Sequence, residues 1–170
     1  MAIIKLRNTE VDETVVGGQE EGVVGRKNNK KKLVVFAIER KGKGVSRMYG
    51  KVIQHSSAKE LGDFMKATIS PSANIKTDQW TGYKPLRHDF ENLVQVKSGK
   101  KGNNFPDLHR AIMIFKSWIR GIHHNVGYLQ LYIDEYCYRF NRSNMKEGLF
   151  ENLMMRMINK PPCSYKQIIA

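Results

Sequence analysis

The spacing of apolar residues changes along the chain, from the alternation typical of strands to the periodicity typical of helices. The first third has β-branched and apolar stretches at residues 5–16, 32–38 and 44–53, bounded by glycine or polar residues. The middle stretch, KLVVFAI, is continuously apolar, which favours a central strand covered on both faces. The sequence therefore predicts a sheet that begins with three strands.

The rest of the chain is predicted to be mainly helical. A helix should begin after Ser57, its N-cap, with Leu61, Phe64, Met65 and Ile69 on one face. A brief strand at 74–77 and a possible strand at 92–96 follow. Helices are then predicted from Pro106 to Ile122, over 128–141 and over 146–158. The last of these should pack against the core through Leu149, Phe150, Leu153, Met154 and Met157. This order indicates an α/β fold with a helical C-terminal part.

Size and charge narrow the function. The 170 residues, 41% of them hydrophobic, suit one domain over 1–170 with a proper core. The formal net charge is +13, from 29 Lys and Arg against 16 Asp and Glu, which attracts polyanions. Residues 25–51 hold ten Lys or Arg and one acid, Glu39, so we expect Lys30, Lys31 and Lys32 to contact DNA phosphates.

The cysteines and the apolar runs exclude other classes. Cys137 and Cys163 are far apart and form no CxxC pair, so neither a zinc ribbon nor a disulfide framework is predicted. No apolar run approaches the roughly 20 residues of a membrane helix, and residues 1–10 lack the pattern of an export signal. We expect a cytoplasmic protein with no membrane partner and no small-molecule substrate.

Two aspartates are candidates for metal-dependent chemistry. Asp12 lies inside the first strand, where alternation places Glu13 on the opposite face. Asp78 follows the strand at 74–77, at the sheet edge where ligands collect in open α/β folds. Carboxylates from separate elements can hold the two divalent cations that phosphoryl transfer requires.

Several long motifs resemble one known family. They are VDETVVGG at 11–18, LVVFAIER at 33–40, TDQWTGY at 77–83, IRGIHHNVGYLQLYIDEYCYRFNR at 119–142 and the closing SYKQIIA. In these motifs the chain resembles the DDE transposases of bacterial insertion sequences, in the group whose catalytic domain opens with VDETxVGG. The resemblance implies an RNase H-like fold with a central mixed sheet flanked by helices. It also implies cleavage and strand transfer at insertion-sequence ends, Mg²⁺ or Mn²⁺ in a two-metal site, target DNA as a partner and a possible homodimer.

The resemblance also assigns residue roles. It places Asp12, Asp78 and His109 at the three metal positions, and Lys116, seven residues after His109, at the DNA-contacting one. Arg120 continues that line on the helix. The third position departs from the DDE pattern, because histidine supplies one nitrogen where an acid supplies oxygens, although some members that the chain resembles also carry a non-acidic residue there. It is interpreted as a metal ligand or phosphate contact, or else as an ordinary polar helix residue. Asp107, about 200° around the helix, is interpreted as a first-turn acid.

Other features leave alternatives open. Relatives usually carry a DNA-recognition segment before this domain, and only 11 positions precede Asp12, so a truncated or split product is expected. The rival hypotheses are an inactive remnant that only binds DNA and a metal-dependent nuclease. Trp80 and Tyr83 could stack on an extruded base, although packing below the Asp78 loop is favoured. The adjacent His123 and His124 favour DNA contact or helix-end packing over zinc.

Overall fold

The computed structural model describes residues 4–17, 31–42, 44–99, 104–122, 127–165 and 167. Its secondary structure confirms the predicted α/β order. The strands in these ranges are β1 (Leu6–Val16), β2 (Lys32–Lys41), β3 (Gly44–Ile53), β4 (Ile69–Thr77) and β5 (Leu93–Gln95). The helices are α1 (Ala58–Thr68), α2 (Pro106–Ile122), α3 (Leu129–Phe140) and α4 (Gly148–Ile158), with short 3₁₀ turns at Thr81–Tyr83, Pro85–His88 and Ser143–Met145.

The described strands form one mixed sheet in the order β3-β2-β1-β4-β5. β1 pairs antiparallel with β2, β2 pairs antiparallel with β3, and β4 runs parallel to both β1 and β5. This arrangement confirms the predicted RNase H-like fold. It also makes β1 the central strand, in which Thr9 to Val11 pair with both β2 and β4 and Asp12 follows directly.

Helices cover both faces of the sheet. On one face, Val11 and Ala37 belong to a buried core with Leu61 and Phe64 of α1. On the other face, Phe36 belongs to a second core with residues of α2 and α3. Successive residues Val34 to Ile38 of β2 alternate between these cores and are fully buried. The prediction of a strand covered on both sides is therefore confirmed.

The boundary between α1 and β4 differs from the prediction. Ser57 caps α1 as expected, with its side chain accepting from the Glu60 backbone N–H. Ile69, however, has extended backbone and opens β4, which begins five residues before the predicted strand. Ile69 therefore matches the helical spacing of the apolar residues in α1 without belonging to that helix. Ser70 precedes Pro71, and the residue before a proline is disfavoured in the helical region, so the helix must end here.

The last helix is a second correction. We expected one side of α4 to pack into the core, but α4 has no buried residue. Phe150 is 69% exposed and Met157 62% exposed. Amphipathic spacing shows that a helix has an apolar side, but it cannot show that another element covers it. Among the described residues, no helix is both long and apolar enough to cross a membrane.

Candidate active site

Strand pairing brings the end of β4 beside the middle of β1. Val11 pairs with Thr77, so Asp12 and Asp78 follow adjacent positions of two parallel strands. On its other side, Asp12 pairs with Phe36 of β2. Alternation along β1 directs Asp12 toward the face covered by α2 and α3, the face on which Val16 packs. The sheet therefore brings the two predicted aspartates to one edge.

The neighbouring acid, Glu13, serves the opposite face. It accepts a hydrogen bond from the hydroxyl of Tyr83, a fully buried residue that packs in the core with α1. Burial and the Glu13 carboxylate raise the pKa of Tyr83 well above its ordinary value, so the phenol keeps its proton. Tyr83 therefore packs below the Asp78 loop, as the favoured interpretation had it, and Glu13 is kept away from Asp12.

His109 contacts Asp12 from α2. Its Nε2 lies 3.2 Å from Asp12 Oδ2, and the side chains of these residues are 34% and 19% exposed. The first turns of α2 thus deliver this imidazole to the face of β1 that carries Asp12. Of the three residues assigned to metal positions, these two are in direct contact.

The Asp12 carboxyl lies in an environment that disfavours its charge. Burial raises its pKa, and the negative charge of Asp78 raises it further. The Glu13 backbone N–H, 2.8 Å from Oδ1, and His109 act in the opposite direction. Burial outweighs them, so the charged form of Asp12 is disfavoured and further positive charge beside it would be stabilising. A bound cation would supply it.

The loop after β4 is held by hydrogen bonds. Asp78 Oδ1 accepts from the Trp80 backbone N–H at 3.0 Å, and the Trp80 indole N–H donates to the Ser56 carbonyl at 2.8 Å. Gln95 donates from its side chain to the carbonyls of Asp78 and Trp80, at 3.2 and 2.9 Å. Asp78 therefore has a fixed backbone, and one of its carboxylate oxygens is committed to the turn.

The start of α2 is anchored by an ion-pair network that the sequence analysis missed. Glu10, buried on β1, pairs with Arg40 Nη1 at 3.4 Å, and Arg40 Nε lies 3.2 Å from Asp107 Oδ2. Arg110 pairs with the other oxygen of Asp107 at 2.9 Å. The network joins β1, β2 and the first turn of α2. It thereby fixes the helix that carries His109.

Burial also dominates the electrostatics of this network. It raises the pKa of Glu10, with help from Asp107, while the charges of Arg40 and Lys76 and the Leu108 backbone N–H lower it. The signal that could have revealed Glu10 is its position: it lies two residues before Asp12, on the same face of the strand. Its partner Arg40 is distant in sequence and could not be inferred from that spacing.

The predicted basic residues partly converge. Lys116 and Arg120 lie four positions apart on α2, and so on one face of that helix. Burial lowers the pKa of Lys116, and the positive charges of Arg120 and Lys31 lower it further. Lys32 instead donates to the Gly127 carbonyl at 2.9 Å. Lys30, His123 and His124 lie outside the described residues. Lys31, Lys116 and Arg120 form a basic group that an anion would stabilise.

The donor chemistry suits a divalent cation, with carboxylate oxygens on Asp12 and Asp78 and an imidazole nitrogen on His109. Among the described side chains, however, no three His, Cys, Asp or Glu residues are arranged as a ready metal site. Asp12 and His109 are in contact. Asp78, whose charge acts on Asp12, is the remaining candidate of the predicted three.

The mixed sheet with its helices, with Asp12 on the central strand and Asp78 directly after the neighbouring strand, places the chain in the RNase H-like class of proteins. The comparison with protein families is more specific, because residues 7–141 match the ISXO2-like transposase domain. This match spans most of the chain, so the chain belongs to the ISXO2-like transposase domain family. The resemblance to insertion-sequence transposases is thus confirmed, and membership supports a transposase role on DNA. None of the curated proteins compared with the chain matches it.

Proposed function

We propose that the protein is the catalytic domain of a DDE-type transposase, performing divalent-metal-dependent phosphoryl transfer at insertion-sequence ends. The observation that carries the proposal is the 3.2 Å approach of His109 to Asp12, beside the strand end that bears Asp78. These are the three positions that the family resemblance assigns to the metal ions. The proposal joins a residue of α2, a residue of β1 and the residue that follows β4, which are far apart in the chain.

The reaction would have two steps. In the first, a water oxygen bonds to phosphorus as the bond to the 3′ oxygen breaks, leaving a 3′-hydroxyl and a 5′-phosphate. In the second, that 3′-hydroxyl oxygen bonds to a target phosphorus and one target P–O bond breaks. When bound, Mg²⁺ or Mn²⁺ supplies activation of the attacking oxygen and neutralisation of the leaving one.

The side chains would divide the work. Asp12, Asp78 and His109 would hold the metal ions, with Asp12 the shared ligand because it lies between β4 and α2. Lys116, Arg120 and Lys31 would bind the phosphates that flank the scissile bond, and Lys30 and Lys32 would extend the basic track. The Glu10–Arg40–Asp107 network would keep α2 at the distance from β1 that the site needs.

A second candidate, an inactive remnant that only binds DNA, is favoured by one observation. The third position is His109, and no ready three-donor site exists among the described residues. A supercoiled plasmid incubated with Mg²⁺ or Mn²⁺ tests both proposals. Nicking that requires the ion supports the enzyme, and joining of a 3′-hydroxyl donor to target DNA distinguishes a transposase from a nuclease. DNA binding without cleavage with either ion, even after His109→Glu, would favour the remnant.

A further inference from the structure

A basic cleft of about 710 Å³ lies at the end of the sheet far from the candidate active site. We call it the far-edge cleft; its charged lining residues are Lys5, Arg7, Glu39, Arg40, Lys41 and Arg47. They come from the start of β1, the end of β2 and the start of β3. Arg7 precedes Asp12 by five strand residues, or about 16 Å at roughly 3.3 Å per residue. The cleft is therefore separate from the metal positions.

The charges in this cleft are unequally compensated. Glu39 is the one acid among the described lining residues and pairs with Arg47 at 3.2 Å, while Arg40 is occupied by Glu10 and Asp107. The other oxygen of Glu39 accepts from the Arg7 backbone N–H, not from the guanidinium. Glu39 therefore leaves the remaining cations of the cleft uncompensated.

Three exposed cations remain, Lys5, Arg7 and Lys41. No described carboxylate forms an ion pair with them, and Lys5 donates only to the neutral Lys66 carbonyl, at 3.1 Å. All three line the same cleft, and Arg7 and Lys41 belong to the neighbouring strands β1 and β2. Like charges on adjacent strands repel each other, and a bound anion relieves this repulsion.

We infer that the far-edge cleft binds the phosphate backbone of a DNA duplex other than the duplex at Asp12. This inference rests on the proposed function. Three uncompensated cations, with the polar side chains of Asn8 and Ser70 beside them, suit phosphates rather than bases. The distance argues for a second duplex. Lys31 directly precedes β2 and Lys41 ends it, so the two residues lie ten positions apart, about 33 Å, at opposite ends of the strand.

A short duplex tests this inference. A hairpin of about 8 base pairs is roughly 27 Å long, too short to reach from one basic group to the other. We expect the unmodified chain to bind two such hairpins, and the triple variant Lys5→Gln, Arg7→Gln, Lys41→Gln to bind one. In the unmodified chain, the far-edge cleft should contribute about 2.7 to the slope of log K for overall binding against log salt, from three phosphates at about 0.9 each. The triple variant should lack this contribution.

Matched variants separate site loss from charge loss. Replacing the exposed Lys59, Arg87 and Lys160 with Gln removes the same charge elsewhere and should leave two hairpins bound. Lys5→Arg with Lys41→Arg should also retain both. One hairpin on the unmodified chain, or two on the triple variant with an unchanged slope, would overturn the inference. Plasmid cleavage is measured separately. A chain that does not cleave can still bind two hairpins, and a chain that binds one hairpin can still cleave, so the two proposals fail independently.

Discussion

His109 Nε2 lies 3.2 Å from Asp12 Oδ2, although 97 positions separate the two residues in the chain. A histidine here is a nitrogen donor at the position where the general DDE pattern has an acid. Transition metals accept nitrogen ligands more readily than Mg²⁺ does. The identity of the preferred metal is therefore a direct test of whether this contact belongs to the active site.

The first prediction concerns His109. Activity of the unmodified chain should favour Mn²⁺ over Mg²⁺. His109→Glu should raise Mg²⁺-supported cleavage by about tenfold or more, since it restores an oxygen donor. His109→Ala should weaken cleavage with both ions. Rates of plasmid nicking with each ion provide the measurement, and an unchanged Mn²⁺ to Mg²⁺ ratio in all variants would remove His109 from the site.

The second prediction concerns Asp12. Asp12→Asn should abolish metal-dependent cleavage while leaving DNA affinity equal or slightly higher, because it removes a ligand and a repulsive charge together. Glu13→Gln is the matched control: it changes the adjacent carboxylate on the opposite face and should retain metal-dependent cleavage, at some cost in stability near Tyr83. Gel-shift and nicking assays measure the two effects. Equal loss of cleavage in both variants would contradict the assignment.

The third prediction follows from the raised pKa of Asp12. A carboxyl whose pKa is higher in the folded than in the unfolded state binds more protons when folded, so its contribution to stability falls as pH rises. Without metal, Asp12→Asn should therefore raise the melting temperature at pH 7. This gain should shrink as pH falls through the raised pKa of Asp12, and it should be lost below about pH 4, the ordinary range of an aspartate. Calorimetric scans at both pH values check it. A variant less stable at pH 7 would show that Asp12 stabilises the metal-free fold.

The fourth prediction concerns the ion-pair network at the start of α2. Arg40→Ala leaves Glu10 and Asp107 without their shared cation. Breaking a buried pair costs about 3–5 kcal/mol, but Arg40 is 39% exposed, so we expect a loss of about 2 kcal/mol. Urea unfolding measures it. Weakened Mn²⁺ binding in Arg40→Ala, with binding retained in Arg110→Ala, would show that the network positions His109.

The fifth prediction concerns the basic group beside the site. Lys116→Gln and Arg120→Gln should each weaken binding of any DNA sequence and reduce the salt slope by about 1. Fluorescence anisotropy over a range of salt concentrations measures this. Lys84→Gln, at an exposed residue outside this group, is the control. Slopes that match the control would separate Lys116 and Arg120 from the DNA surface.

The sequence was informative where local pattern decides structure. Alternation in β1 predicted that Asp12 and Glu13 face opposite ways, and the end of β4 predicted the position of Asp78. The Glu10–Arg40–Asp107 network depends on tertiary packing between three elements, which single-strand alternation does not specify. The predictions that α4 is buried and that Ile69 belongs to α1 failed for a related reason, because helical spacing alone does not report which neighbours are present.

The acids of β1 are divided between the two faces of the sheet, with Glu10 and Asp12 on one face and Glu13 on the other, and this division affects mispairing of the strand. A slip of β1 by one residue against its neighbours would turn Asp12 toward the core beneath α1 and Val11 toward α2. Such a misfolded sheet would bury Glu10 and Asp12 without Arg40 or His109, which costs several kcal/mol for each unpaired charge. Glu10 and Asp12 therefore destabilise the competing strand pairings. A chain that attains a stable sheet has already placed Asp12 on the side of His109.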